Sequence, residues 1–185
     1  MNTVVTSKDE ILKASRELIW QQGWSAVSIR SVAAACGVSV GSIYNYFSSK
    51  SDLIGATVES VWCEIFHRPE DDAVFHDVQA CITWIYACMA YGYERYPGFF
   101  TLHSLGFMRE EKDDGKRRMQ QTWQHIFKGL CTVLKQDEKI RKDAFNEHFT
   151  AEKFAGVLFS QMLSALLQQD YDPSAVLEIV RRTLY

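Results

Sequence analysis

SIRSVAAACGVSVGSIYNYF, from Ser28 to Phe47, is the stretch that decides the fold. Ser28 suits an N-cap, because its hydroxyl can accept from an orphan amide of the first helical turn. Ile29, Val32, Ala33 and Cys36 follow at i, i+3, i+4 and i+7, one buried stripe of a helix. Gly37 then stands where a helix closes in the left-handed conformation that glycine adopts without steric cost. Val38 plugs the turn, and Ser39 caps the next helix. In that helix Ile43 and Phe47 face inward, which leaves Ser42, Tyr44, Asn45 and Tyr46 to the outside. Two helices joined by a tight glycine turn, the second short and tipped with hydrogen-bonding groups, is the arrangement that seats a helix in the major groove of DNA.

Composition sets the frame around this motif. The chain has 185 residues, 47% hydrophobic, with three prolines, which predicts a compact, helix-rich globule. Its five cysteines show no CxxC spacing and sit in apolar helical patterns, as small buried hydrophobes in a reducing compartment do. The first residues lack the basic start and apolar run of a signal peptide, and no stretch approaches the ~20 apolar residues of a membrane span. The expected setting is the cytoplasm, with no membrane partner. Residues 1–66 hold five basic against six acidic side chains, a net of −1, so non-specific coating of DNA is not expected. Between Ser25 and Ser51, however, the only charges are Arg30 and Lys50. The face that would meet phosphate is free of acids.

Outward from the motif, Ser7 to Glu10 reads as a capping box opening a helix whose buried face is Ile11, Ala14, Leu18 and Ile19, and Gly23 ends it. Ser49 to Asp52 resembles a second box, followed by the stripe Leu53, Thr57, Val61 and Ile65. The apolar pattern lapses from His67 to Asp72, where Pro69 breaks the helix. Helices are then expected over 73–96 (stopped by Pro97-Gly98), 110–135, 151–169 and 173–184, with Asp172 capping the last and Pro173 at its first position. Phe99 to Met108 reads as a short aromatic segment, and 137–150 as a charged loop. The fold class is all-α.

The run VSVGSIYNYFSSKSDL, Val38 to Leu53, resembles the amino-terminal domain of the TetR (tetracycline repressor) family, with its Val-Ser, glycine, aliphatic-Tyr pair, Tyr-Phe and a lysine three residues on. The likeness covers about residues 7–66. It implies a three-helix DNA-binding domain over 1–66 and a helical effector-binding and dimerisation domain over 67–185. It also implies DNA contacts from Val40, Gly41, Ser42, Tyr44, Asn45 and Tyr46, flanked by Ser39. Val40 departs from the basic or polar residue common at its position, which implies either contact with a thymine methyl or simply the loss of a phosphate contact. Asn45 can pair with adenine, and the hydroxyls can reach phosphates or bases. Lys50, at a helix amino terminus, suits a phosphate, with Ser28 and Arg30 as weaker phosphate candidates.

In the second half, Trp84, Tyr86, Met89, Tyr93, His103, Phe107, Trp123 and Gln161 combine aromatic walls with neutral polar tips. Such a belt is plain core or the lining of a chamber, and the resemblance implies a chamber. Its chemistry suits a planar or aromatic, weakly charged effector rather than a polyanion. The segment 151–169 is apolar all round and must be covered on every side. A second copy is the simplest cover, through Phe159, Leu163, Leu166 and Leu167, joined by Val176 and Val180 of the last helix. Cys63 and His67 lie four apart but lack further ligands for a metal. No catalytic constellation and no cofactor motif stands out. The resulting expectation is a homodimeric, ligand-released repressor acting on a near-palindromic operator. The rival is a helix-turn-helix architectural or protein-interaction factor without a small-molecule effector.

Overall fold

A computed structural model describes residues 6–66, 76–100 and 113–185, with the backbone alone for 113–122. Among the described residues every regular element is a helix: α1 (Lys8–Gln22), a 3-10 turn (Trp24–Ala26), α2 (Ile29–Ala35), α3 (Val40–Tyr44), α4 (Lys50–Phe66), α5 (Val78–Arg95), α6 (Asp113–Gln136), α7 (Ala151–Gln168) and α8 (Ser174–Leu184). α1 packs on α2 and α4. α4 continues onto α5 and α6, while α6 meets α7 and α5 meets α8.

Local chemistry explains most boundaries. Ser7 and Glu10 form the reciprocal box, the Ser7 amide donating to Glu10 Oε2 at 2.8 Å and the Glu10 amide to Ser7 Oγ at 3.2 Å. Gly23 closes α1 at φ +80°. At the start of α4 the box is shifted. Ser49 Oγ accepts from the Asp52 amide at 3.1 Å, but the Asp52 carboxylate reaches one residue further back, to the Ser48 amide at 3.0 Å. α5 opens at Val78, its Asp77 cap accepting from the Ala80 amide at 2.8 Å. The expected earlier start at Ala73 and the segment with Pro69 lie outside the described residues. The last helix starts one residue later than expected, with Pro173 at the N-cap position and Asp172 just before it, accepting from the Ser174 amide at 2.9 Å and the Ser174 hydroxyl at 2.8 Å.

The core runs through both halves. The α4 stripe of Leu53, Thr57, Val61 and Ile65 is wholly buried, and Thr57 satisfies its hydroxyl on the Leu53 carbonyl at 2.8 Å. In α1 the stripe is Ile11, Ser15 and Ile19, with Ala14 and Leu18 only half-buried. Ser15 can lie inside because its hydroxyl donates to the Ile11 carbonyl at 2.9 Å. α4 and α5 approach closely at Gly92, where an added Cβ would stand 2.7 Å from Ile65 Cδ1 and 2.9 Å from Phe100 Cζ. Buried Asp137 draws the second half together by accepting from the Val78 amide at 2.9 Å, the Lys139 amide at 2.9 Å and the Tyr185 hydroxyl. Of the five cysteines Cys81 and Cys88 are buried as expected, Cys36 and Cys131 are half-buried, and Cys63 is exposed on α4, contrary to expectation; burial pushes the Cys81 thiol up to about 12.

Candidate DNA interface and effector region

The helix-turn-helix is built on serine caps. Ser28 Oγ accepts from the Ser31 amide at 3.1 Å and the Ser28 amide donates to Ser31 Oγ at 2.9 Å, a reciprocal box made from two serines. Gly37 then turns at φ +66°, and the Val38 amide reaches back to the Ala33 carbonyl at 3.0 Å. Ser39 Oγ accepts from the Ser42 amide at 3.1 Å and so fixes the first turn of α3. Ile43 and Phe47 are buried under α3.

Opposite that buried side lies an open face. Val40, Tyr44 and Tyr46 are 40%, 51% and 41% exposed, rare for side chains of this size. Arg30, Ser39, Gly41, Asn45 and Lys50 are also exposed, whereas Ser28 and Ser42 are half-buried. A Cβ on Gly41 would meet nothing nearer than Ser39 Oγ at 3.6 Å, so the fold itself does not require glycine there. Two of these side chains are also engaged within the fold. Ser28 spends its hydroxyl inside the cap. The Tyr46 hydroxyl donates to the Thr6 carbonyl, which makes Tyr46 a tie to the start of the chain before anything else. Lys8, which the sequence reading passed over, sits with its ammonium 5.8 Å from the Phe47 ring centre.

Behind this face lies a junction with the second half. Glu64 on α4 accepts from Arg16 Nε of α1 at 2.6 Å, from the Tyr96 hydroxyl at 2.7 Å and from the Tyr91 hydroxyl of α5 at 3.4 Å. The Tyr96 phenol is pushed well above the ordinary tyrosine value, first by burial and then by its bond to Glu64. Arg95 lays its guanidinium 3.8 Å from the Trp20 ring centre, and Trp24 stacks on Phe99 with centroids 5.5 Å apart.

The structure does not gather the expected effector residues into one place. Along α5 the inward stripe runs Val78, Cys81, Ile82, Ile85, Tyr86, Met89 and Gly92. Tyr86 and Met89 lie on it and belong to the core. Tyr86 lines a cavity of about 10 Å³, one water's worth, with Ile82, Ile85, Leu130, Leu158 and Met162. Tyr93 lies off the stripe, 40% exposed, donating to Gln169 Oε1 at 3.1 Å beside the Tyr171 ring. Gln161 is on the exposed side of α7. His103 and Phe107 lie outside the described residues. Trp123 and Trp84 belong to a different assembly, centred on Trp62. The Trp62 indole meets Trp123 at 5.1 Å, Phe99 at 5.2 Å, Phe66 at 5.4 Å and Phe100 at 5.5 Å, and Trp84 stands edge-on to Phe66 at 6.2 Å. The Trp62/Phe66 spacing of four on one helix was the available signal for it.

The expected dimer residues also divide. Leu166, Val176 and Val180 are buried within the monomer, so a second copy cannot reach them in this fold. A helix apolar on every side leaves its phase open, and packing turns this edge inward. Phe159 is half-buried, edge-on to Trp123 at 5.5 Å and Phe127 at 6.1 Å, and Leu163 is half-buried as well. Leu167 remains 52% exposed, with Val157 on the same helix at 48% and Ile179 on α8 at 50%. No helix among the described residues is long and apolar enough to cross a membrane.

Comparison with known proteins adds to this geometry. Residues 11–57 match the sequence model of the family described as bacterial regulatory proteins, tetR family. The HTH-type transcriptional regulator AlkX of Mycobacterium tuberculosis is 41% identical over 46 residues, which are 25% of this chain and 22% of AlkX. The chain thus matches only about a quarter of that relative's length. Across nearly the whole chain the fold is shared with the reduced form of Escherichia coli NemR (TM-score 0.67, 18% identity, 96% of this chain and 97% of NemR). It is shared also with SmeT, the repressor of the Stenotrophomonas maltophilia multidrug efflux pump SmeDEF (TM-score 0.61, 15% identity, 94% and 83%). At such identities the likeness speaks for the fold, while the family relationship rests on the helix-turn-helix. Residues 11–57 thus form a helix-turn-helix segment of the kind found in the tetR family of bacterial regulatory proteins.

Proposed function

We propose that the protein is a cytoplasmic, homodimeric repressor that binds a near-palindromic operator and is released from it by a small apolar or aromatic effector. The supporting observation is the face of α3: Val40, Gly41, Tyr44 and Asn45 stand exposed with no packing role, in a stretch whose only charges are basic. In this reading Tyr44 and Asn45 read bases, Val40 meets a thymine methyl, and Gly41 lets the duplex approach the helix backbone. Lys50, Arg30 and Ser42 hold phosphates, with Ser39 and Ser28 fixing the helices that carry them. A dimer would set two such helices roughly 34–36 Å apart, in successive major grooves.

Control would pass through α4, because one helix carries Lys50 at its DNA end and Trp62, Glu64 and Phe66 at the other. An effector favouring one setting of α4 then lowers operator affinity, and operator lowers effector affinity by the same factor. For self-association we propose the exposed Leu167, Val157 and Ile179, with Phe159 and Leu163 at its margin. The repressor title of SmeT fits this reading of a shared fold. The test is a selection of operator fragments from genomic DNA, followed by gel shift of the paired variant Tyr44→Ala, Asn45→Ala. Loss of specific binding at unchanged melting temperature is expected, each base contact being worth roughly 1–3 kcal/mol. Unchanged operator affinity refutes the site.

A further inference from the structure

The residue just before the α1 cap touches both helices of the helix-turn-helix. Thr6 is 9% exposed and stands one position ahead of Ser7. Its carbonyl accepts from the hydroxyl of Tyr46, which lies just past α3. Its own hydroxyl shares a hydrogen bond with the thiol of Cys36, the residue that closes α2. Two positions on, the Lys8 ammonium stands 5.8 Å from the ring centre of Phe47, the neighbour of Tyr46. Forty residues separate Tyr46 from Thr6, so their bond is a tertiary tie and not part of a local turn.

α3 has need of such a tie. It is five residues long, and it is pinned from below by Ile43 and, one turn later, by Phe47. Both lie on a single line, and a short helix pinned along one line is free to roll about it. Roughly 10° of roll carries a group at the ~5–6 Å helix radius through about 1 Å, enough to take a base-reading side chain out of hydrogen-bond range. The Ser39 cap is made within α3 and turns with it. The turn at Gly37 holds the start of α3, and the Tyr46 bond holds its end from off the pinning line. A phenol has one proton to donate and phosphate oxygens only accept, so a hydroxyl spent on Thr6 has nothing left for the DNA backbone.

We propose that Tyr46 is a positioning residue for DNA recognition and that Thr6 is its anchor: the bond between them sets the roll of α3, and with it the reach of Tyr44 and Asn45 to base edges. This rests on the operator-binding reading above, and it gives Tyr46 a part other than the direct DNA contact that the family resemblance implies. Thr6, being buried, acts without meeting the duplex.

The test compares binding of the full chain to the operator fragment recovered by the selection above and to a scrambled duplex of equal length. Tyr46→Phe keeps the ring and removes the tie. It should lower the operator-to-scrambled affinity ratio about five- to tenfold, part of the worth of the base contacts, with scrambled binding unchanged within about twofold. Thr6→Val keeps the buried shape, loses the bond to Cys36 and should lower the same ratio about two- to threefold. The double variant should be no worse than Tyr46→Phe alone, because an anchor matters only while something is tied to it. Equal losses on both duplexes make Tyr46 a direct phosphate contact and overturn the positioning role. An unchanged ratio in either variant, or additive losses in the double variant, overturns it too, even where the melting temperature falls. Should Thr6→Val fail to fold, amide exchange in the free protein decides. The amides of residues 46 and 47, bonded to the Ile43 carbonyl at 3.0 and 3.1 Å, should exchange about tenfold faster in Tyr46→Phe, and unaltered exchange refutes the tie. If the wild type prefers neither duplex, the operator reading falls and takes this role with it. A wild-type preference that the variants keep sinks the positioning role alone.

Discussion

Replacing Tyr96 by phenylalanine isolates the junction at Glu64. The Tyr96 ring is 1% exposed and packs on Phe99 with centroids 6.4 Å apart, which phenylalanine preserves. What disappears is the hydroxyl donating to Glu64 Oε1 at 2.7 Å. A hydrogen bond to a charged acceptor is worth about 1.5–3 kcal/mol. Glu64 is 29% exposed and keeps Arg16, so the low end applies, about 1.5 kcal/mol, which corresponds to a melting-temperature loss of roughly 3–6 °C for a chain of this size. The effect also has a pH signature. The folded state raises the phenol above its ordinary value of about 10, so the advantage of wild type over Tyr96→Phe is complete below that value. Above it the unfolded chain loses the proton first, and the advantage shrinks by up to about 1.4 kcal/mol per pH unit. It should be nearly gone one unit higher. Thermal unfolding followed by circular dichroism at pH 7, 9, 10 and 11 measures this directly. A difference independent of pH, or no difference at pH 7, refutes the bond as a source of stability. Additivity within about 0.3 kcal/mol in a cycle with Glu64→Gln would do the same.

Other perturbations separate the two surfaces. Lys50→Ala should weaken operator binding to every sequence alike and lower the salt slope by about one unit; an unaltered slope makes Lys50 an ordinary surface lysine. Leu167→Glu and Ile179→Glu should yield a folded monomer in sedimentation, since both side chains are half-exposed in the single chain. Leu166→Glu, one residue away, should instead unfold it, because a charge there is buried without a partner. A wild type that sediments as a monomer at micromolar concentration removes the proposed interface.

What was legible in the sequence was what neighbours along the chain decide. The Ser7/Glu10 box, the turn at Gly37, the inward Ile43 and Phe47, and the four-residue stripe of α4 all depend on spacing and local hydrogen bonds. The exposed face of α3 followed from the same logic, as the remainder of a short helix after its apolar positions are spent. Contacts made at a distance were not legible. Ser15 is polar but sits inside, because its hydroxyl turns back on its own helix. Leu166 reads equally well as an inner or outer position, since a helix apolar all round carries no mark of its phase. Val176 and Val180, by contrast, fall with Leu184 on one apolar stripe of α8, which leaves open only whether that stripe faces the monomer or a second copy. Tyr86 and Met89 look like pocket residues in a list of aromatic and flexible side chains, yet lie on the densest stripe of α5. The gathering around Trp62 needed α4, the segment after Gly98 and α6 to be brought together, which no single periodicity records.

The absent side chain at Gly92 has a mechanical consequence. Ile65 of α4 occupies the space that a Cβ would fill, so it sits in a notch on α5 like a tooth in a rack. Lengthwise travel of α4 would have to lift that tooth over Cys88, Met89 or Tyr96, the neighbours of Gly92 along the same buried face, while rotation about the notch leaves it seated. The notch therefore resists sliding of α4 along α5 more than it resists tilting about Ile65. A small tilt felt at Trp62, three residues from the notch, becomes a swing in the same direction at Lys50. That end lies fifteen residues and about 22 Å of helix from Ile65, so the swing is several times larger than the tilt that causes it.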